Sequence, residues 1–170
     1  MSYFWKRFKP MTPRSLILLF VLLLFSCEKD DICLEGTPGT ARMIILFKDH
    51  QNPQSKKQVS DLLIVGLGQL DTLTTFSGDS IAIPLRNNFE FTQYELTLST
   101  ASPTFLSDSL RVNHTQFDTY LNRSCGYKST FVFDNPFYYL QTQGEGWIKN
   151  IEKLRDTLSD EKSSHLAIYH

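Results

Sequence analysis

Clustered positive charge is missing from this chain, in which 17 Lys and Arg stand against 18 Asp and Glu for a formal net charge of −1. Binding to phosphate backbones needs a basic stripe, so nucleic acid is excluded as a partner. Cysteine is scarce: there are three, none in a C-x-x-C spacing, and His50, His114, His165 and His170 show no ligand spacing, so neither a metal nor a cofactor is expected. Gly66-Leu67-Gly68 follows an apolar run but lacks the third glycine and the following helix of a dinucleotide loop, so it reads as a turn. No internal repeat is visible. No apolar run approaches the roughly 20 residues of a membrane-spanning helix, the longest being the ten from Leu16 to Phe25.

That short run is informative. Lys6, Arg7, Lys9 and Arg14 precede it and Leu24-Phe25-Ser26-Cys27 ends it, the charged n-region and apolar h-region of a secretory signal. The ending resembles the bacterial lipobox, in which a small residue precedes a cysteine that is acylated on sulfur and becomes the new N-terminus. The expectation is a signal peptide over 1–26, lipid attachment at Cys27 and a membrane partner reached through that anchor, whether Met1 or Met11 is the initiator. Cleavage there leaves 144 residues with 13 basic and 18 acidic side chains, a net charge of −5. Such a chain fits one domain that buries about two-thirds of its unfolded surface.

Cys33 and Cys125 remain. In an oxidising compartment an isolated pair points to a disulfide, and closing the 93-residue loop from 33 to 125 is worth at most roughly 4–5 kcal/mol in the chain-entropy model. The alternative is two buried free thiols, since free cysteine is among the most buried residue types.

Glu28 to Asp31 is charged and Gly36-Thr37-Pro38-Gly39 is a break, which sets a tether over 27–39 and a folded domain over 40–170. From there the pattern is of strands. Ala41–Phe47 and Leu62–Gly66 are short apolar runs between turn signals. Ser80–Leu85 alternates, with Pro84 marking an edge or a bulge. Phe89 and Phe91 share one phase while Tyr94, Leu96 and Leu98 share the other, which predicts a bulge or break near Thr92 and Gln93. Leu110 with Val112, Phe131 with Phe133, and Leu166 with Ile168 continue the series. Residues 147–158 fit either a helical face or a strand, and the strand is preferred because Gly144-Glu145-Gly146 offers a hairpin connection and the C-terminal strand needs a neighbour. The fold class expected is all-β, an antiparallel sandwich of immunoglobulin-like or jelly-roll-like kind, or an open barrel, built of short strands.

Asp61–Gly68, Ile81–Arg86, Asp108–Val112, Cys125-Gly126-Tyr127 and His165–Tyr169 together resemble an uncharacterised family of small Bacteroidota lipoproteins, a domain of unknown function. The resemblance implies a β-rich domain with a paired cysteine, and no activity. It also makes two local patterns readable. Lys29, Asp30 and Asp31, just behind Cys27, resemble the signal that sends lipoproteins of that phylum to the outer leaflet of the outer membrane, although an ordinary charged tether has the same composition. Asp followed by Ser or Thr and an aliphatic residue resembles its O-glycosylation acceptor, at Thr72, Ser80, Ser109 and Thr157; the same pairs are also favoured where turns meet strands.

No catalytic set emerges. Gly78-Asp79-Ser80-Ile81 is similar to the nucleophile block of GDS-type esterases, but Asp160 stands five residues before His165 rather than two, and the residues after Ser80 read as a strand. Phe137-Tyr138-Tyr139 and Trp147 suit sugar or peptide stacking, and equally suit core packing. The reading is an outer-membrane, lipid-anchored, non-enzymatic binding or assembly module. The cell surface is favoured over the periplasmic face, with an envelope protein or glycan as partner; the alternative is a carbohydrate-handling or hydrolytic envelope enzyme. A cleft with two carboxylates or a Ser–His pair would favour the enzyme, and a flat exposed aromatic patch the binding module.

Overall fold

The computed structural model describes residues 13, 32–68, 72–99, 105–144 and 146–170. The apolar run at 16–25, Cys27 and the segment Lys29, Asp30, Asp31 lie outside the described residues. The chain clusters into two compact units, a smaller one to which 32–37 and Asn122–Gly126 belong and a larger one of Pro38–Leu121 with Tyr127–His170.

Turns shape the described residues of the smaller unit at 32–37 and 122–126. Thr37 donates both its backbone N–H (3.1 Å) and its hydroxyl (2.8 Å) to the Leu34 carbonyl, a turn that needs the positive φ of +85° at Gly36. The Asn122 side-chain oxygen accepts from the N–H groups of Ser124 (3.0 Å) and Cys125 (2.7 Å), the local bonding for which Asn is favoured in turns. Cys33 and Cys125 are joined as a disulfide, with their Cα atoms 5.0 Å apart.

In the larger unit the described residues form ten strands in two sheets. One sheet has the order β4 (Ser80–Ile83), β1 (Met43–Lys48), β10 (Leu166–Tyr169), β8 (Asn150–Lys153). The other runs β3 (Thr72–Gly78), β2 (Val59–Gly66), β5 (Phe91–Ser99), β6 (Phe105–Asn122), β7 (Gly126–Gln143), β9 (Thr157–Leu158). β6 and β7 reach Asn122 and Gly126, the ends of the turn that belongs to the smaller unit. The fold is all-β, as the alternation and turn signals predict. The pairs β1–β4, β8–β10, β2–β3, β2–β5, β5–β6 and β7–β9 are antiparallel; β1 and β10 are parallel, with Ile45 opposite Leu166 and Phe47 opposite Ile168. β10 is buried on both faces, so it reads as an unbroken apolar run rather than an alternation.

Two of the passages between the sheets are short corners. Only Asp79 separates β3 from β4, and residues 154–156 separate β8 from β9, although each pair is split between the two sheets. β4 lies at a sheet edge with Pro84 just beyond it, where a residue lacking a backbone donor is tolerated. Met43, Ile45, Phe47, Leu62, Ile64, Leu96, Leu110, Phe131, Leu158, Leu166 and Ile168 fill the core, each at most 1% exposed.

Four expectations are corrected. β5 runs without a bulge at Thr92 and Gln93, in unbroken register with β6 from Phe91 to Ser99. Thr92 takes the inward position that a Phe at 91 does not, because its hydroxyl finds a partner there, while Phe91 points outward under the Arg111 guanidinium at 3.8 Å. The change of phase lies instead in β7: Phe131 and Phe133 are inward, but beyond Pro136 it is Tyr138 and Leu140 that pack on the core and Tyr139 that is exposed. Second, β6 and β7 are not short. Each has 18 residues, and much of the second half of β6, including Asp118, Thr119 and Tyr120, is exposed, so no apolar alternation marks it.

Third, β7 and β8 are not paired as a hairpin, since they lie in different sheets. Gly146 passes so close to Thr142 and the Asp108 carboxylate that any Cβ would collide with both. Fourth, of residues 147–158 only 150–153 and 157–158 are strand. Trp147 and Ile148 are buried ahead of β8, and Ile151 pairs with Ile168, so β10 does receive its neighbour.

Candidate functional site

The polar groups placed inside the sandwich are Thr92, Asp108, His114, Ser129 and His165. Thr92 accepts the Arg86 N–H (2.8 Å) and lies 2.8 Å from His114 Nε2, while His114 Nδ1 is buried without a partner. These two residues are 2% and 0% exposed, so neither is presented at the surface. His165 is also fully buried. Its backbone N–H donates to Ile44 O (2.8 Å) and its Nδ1 accepts the Ile44 N–H (3.1 Å), which clamps β10 to β1 and leaves the proton on Nε2. Asp108 Oδ2 accepts the Ile148 N–H (2.9 Å), and the Trp147 indole N–H donates to Leu96 O (3.0 Å). These two bonds fix the segment ahead of β8, so Trp147 is core rather than a stacking platform.

Burial holds His114 and His165 below the ordinary imidazole pKa, with Asp134 opposing the shift at His114. At His165 the Arg155 cation reinforces it, while Asp160 and Glu161 oppose. Protonating His165 would also turn a donor against the Ile44 N–H. The folded state thus takes up these protons later than the unfolded chain, and stability is complete above about pH 6.5 and falls as pH drops below it. Unfolding free energies from urea titrations at pH 7.5 and 5.5 are expected to differ by up to about 1.4 kcal/mol for each histidine that stays neutral, and a flat profile would contradict this. A second loss follows at lower pH. The Arg42 guanidinium holds Glu161 at about 2, and Arg155 holds Asp160 at about 2, so both pairs fail as pH falls from the ordinary carboxylate range towards that value.

The sequence-derived candidates scatter. Thr72 is exposed at the start of β3 beside exposed Leu73. Ser80 is exposed, and its hydroxyl donates to Asp79 Oδ1 (3.1 Å) rather than to an imidazole; Asp79 is itself held below the usual range by Lys56 and Ser80. Ser109 is half-buried between Asp108 and Leu110, both 0% exposed, and accepts from Gln93 Nε2 (2.9 Å). Thr157 is half-buried beside fully buried Leu158. Phe137 and Tyr138 pack partly on the core with ring centroids 4.7 Å apart. Glu90, His114 and Asp118 line one shallow depression, but Asp118 is tied to Ser129 (2.7 Å) and Gln116 (2.7 Å), which lower its pKa. Another, lined by Leu67, Leu73, Pro84, Leu85, Arg86 and Tyr94 among others, includes no carboxylate and no imidazole in its lining.

A different arrangement stands on the outward face of β5, β6 and β7. The strand pairing sets Gln93 opposite Arg111, Glu95 opposite Ser109 and Thr97 opposite Ser107. Side chains bond along this face: Ser107 donates to Glu95 Oε1 (3.0 Å) and lies 3.0 Å from the Thr97 hydroxyl, while Arg111 Nε donates to Asn113 Oδ1 (2.9 Å). The Arg111 guanidinium lies 3.8 Å from the Phe91 ring centre and 5.7 Å from that of Tyr139, which is 55% exposed. Gln93, Ser109, Arg111, Tyr139 and Gln141 line a depression here. Arg111 has no ion pair among the described residues.

Chemically this is a platform: one aromatic face, one cation, and amides and hydroxyls able to donate and accept. Of its members the sequence marks Tyr139 as a stacking candidate and Ser109 as a modification candidate, and misses Gln93, Arg111 and Gln141. The signal for them is the polar alternation Gln93, Glu95, Thr97 interleaved with Tyr94, Leu96, Leu98, which places Phe91 on the solvent side. No curated protein and no solved structure gives a significant match. Residues 61–170 match a family model that begins within β2, and the chain belongs to that family, a family of unknown function (DUF6452).

Proposed function

We propose that this protein is a lipid-anchored module of the bacterial cell envelope that binds rather than transforms its partner, an envelope protein or a glycan, through the outward face of β5, β6 and β7. The observation that carries the reading is the exposed Tyr139 beside the Arg111 cation in a depression whose other lining residues, Gln93, Ser109 and Gln141, are amides and a hydroxyl. Such groups supply contact area and orientation at low entropic cost. The anchor is Cys27, and 27–39 serves as the tether.

A photo-crosslinking residue at position 139, in the full lipoprotein in intact cells, should give a discrete adduct, and its absence would remove this face as the binding surface. Lys29, Asp30 and Asp31 direct the domain to the outer leaflet of the outer membrane. Replacing all three by Ala should reduce protease accessibility on intact cells while leaving lipidation and fold unchanged, because the tether lies outside the packed sheets. Unchanged accessibility would dispose of the export signal. Ester or glycan turnover that depended on Ser80, His114 or His165 would replace the binding reading with a hydrolytic one.

A further inference from the structure

From the platform on β5, β6 and β7, and resting on its reading as a binding surface, we infer that the ligand is an acidic glycan in which a uronic-acid unit sets its ring on Tyr139 and its carboxylate on Arg111. Arg111 is only partly committed within the fold. Its Nε is given to Asn113 and its face to Phe91, yet no carboxylate pairs with it among the described residues. The terminal nitrogens of a guanidinium so fixed present a planar donor fork suited to a carboxylate. Glu95 does not fill this role. It stands opposite Ser109 and bonds Ser107, on the side away from Arg111.

The charge balance disfavours a doubly charged group, and the planar donor fork favours a carboxylate. Arg111 is the sole cation among the residues lining the depression, and the chain after Cys27 carries a net charge of −5. A phosphate brings about −1.5 to −2 charges and would leave an excess on an already acidic domain, whereas one carboxylate is matched by one guanidinium. Long-range repulsion between the domain and an oligouronate is limited to about 8 Å at physiological salt, so the local pair decides. Gln93, Ser109 and Gln141 ring the same depression and can bond sugar hydroxyls. Tyr139 offers the exposed aromatic face on which a sugar ring stacks.

The test is titration of the full lipoprotein, purified in detergent, with trigalacturonate, the neutral galactose trimer and a sulfated galactose trimer. Trigalacturonate should bind at least tenfold more tightly than either. Arg111→Gln should weaken it by roughly ten- to hundredfold with an unchanged melting profile, and Arg111→Lys should restore only part, since the fork and the stacking are lost. Equal binding of the neutral or the sulfated trimer, or indifference to Arg111→Gln, would overturn the uronate assignment. If a neutral trimer bound and Tyr139→Ala abolished it, the binding surface would stand and the acidic ligand would fall. If no trimer bound, the acidic-glycan inference would fall, and the crosslink from position 139 would decide separately whether the face binds anything.

Discussion

Cys125→Ser lowers the thermal midpoint of the oxidised protein by roughly 7–15 °C, corresponding to about 2–4 kcal/mol at the specific unfolding entropy of globular domains. The bond between Cys33 and Cys125 spans 92 positions of sequence, and a cross-link that long removes about 4–5 kcal/mol of conformational freedom from the unfolded chain as an upper bound. The native state returns some of this. Cys33 stands close to the chain end of the described part, five residues before Pro38, so breaking the bond frees a short segment as well as lengthening the unfolded loop. Asn122 still holds the 122–126 turn through its two backbone bonds. The loss should therefore fall short of the bound. Reductant should bring the unaltered protein to the midpoint of the variant, and Cys33→Ser should behave as Cys125→Ser does. Alkylation of both thiols in the folded, unreduced protein would show that the bond is not made in solution.

Local alternation carries much of the fold and little of the site. β1, β2, β4 and β10 announce themselves because one face, or for β10 both faces, must be apolar. The edge position of β4 follows from Pro84, which has no donor to give a neighbour. In β5, by contrast, an aromatic residue does not mark the inward phase. Phe91 is outward because Arg111 covers it, and Thr92 is inward because His114 meets its hydroxyl; neither partner is near in sequence. The second half of β6 is invisible to periodicity for the converse reason, since an exposed stretch needs no apolar phase at all. The parallel pairing of β1 with β10 joins the first and last strands, and no periodicity within either strand specifies it.

The same distinction explains why the platform is only half legible in sequence. Tyr139 and Ser109 stand out there as isolated residues with isolated meanings, one as a stacking candidate and one as an acceptor for sugar. Tertiary pairing makes them neighbours, by setting β6 between β5 and β7. It also separates residues that sequence motifs group together. Phe137 and Tyr138 turn to the core while Tyr139 faces out, and Trp147 is held inside by Leu96. Ser80 finds Asp79, and His165 finds Ile44.

Cys27→Ala should abolish membrane association of the protein, the largest change in behaviour expected of any single substitution. The proposal places two or more acyl chains on the residue at 27, and the difference between one chain and several is the difference between reversible binding, with an association constant of about 10⁴ M⁻¹, and stable anchorage. No other part of the described chain offers a comparable attachment. The exposed large apolar side chains of the described residues, among them Ile32, Leu34, Leu73, Phe89, Phe105, Phe117 and Tyr127, are scattered along the chain, and the net charge of −5 beyond Cys27 disfavours adhesion to anionic lipid. The variant is thus expected either unprocessed, with the apolar run of 16–25 still attached, or cleaved and soluble. Fractionation, followed by mass analysis of the N-terminal peptide, separates those outcomes. In the unaltered protein the same peptide should carry the mass of a diacylglyceryl cysteine. A variant that stayed membrane-bound at the size of the processed chain would show that the anchor lies elsewhere, and the tether, export signal and surface display would then have to rest on that other attachment.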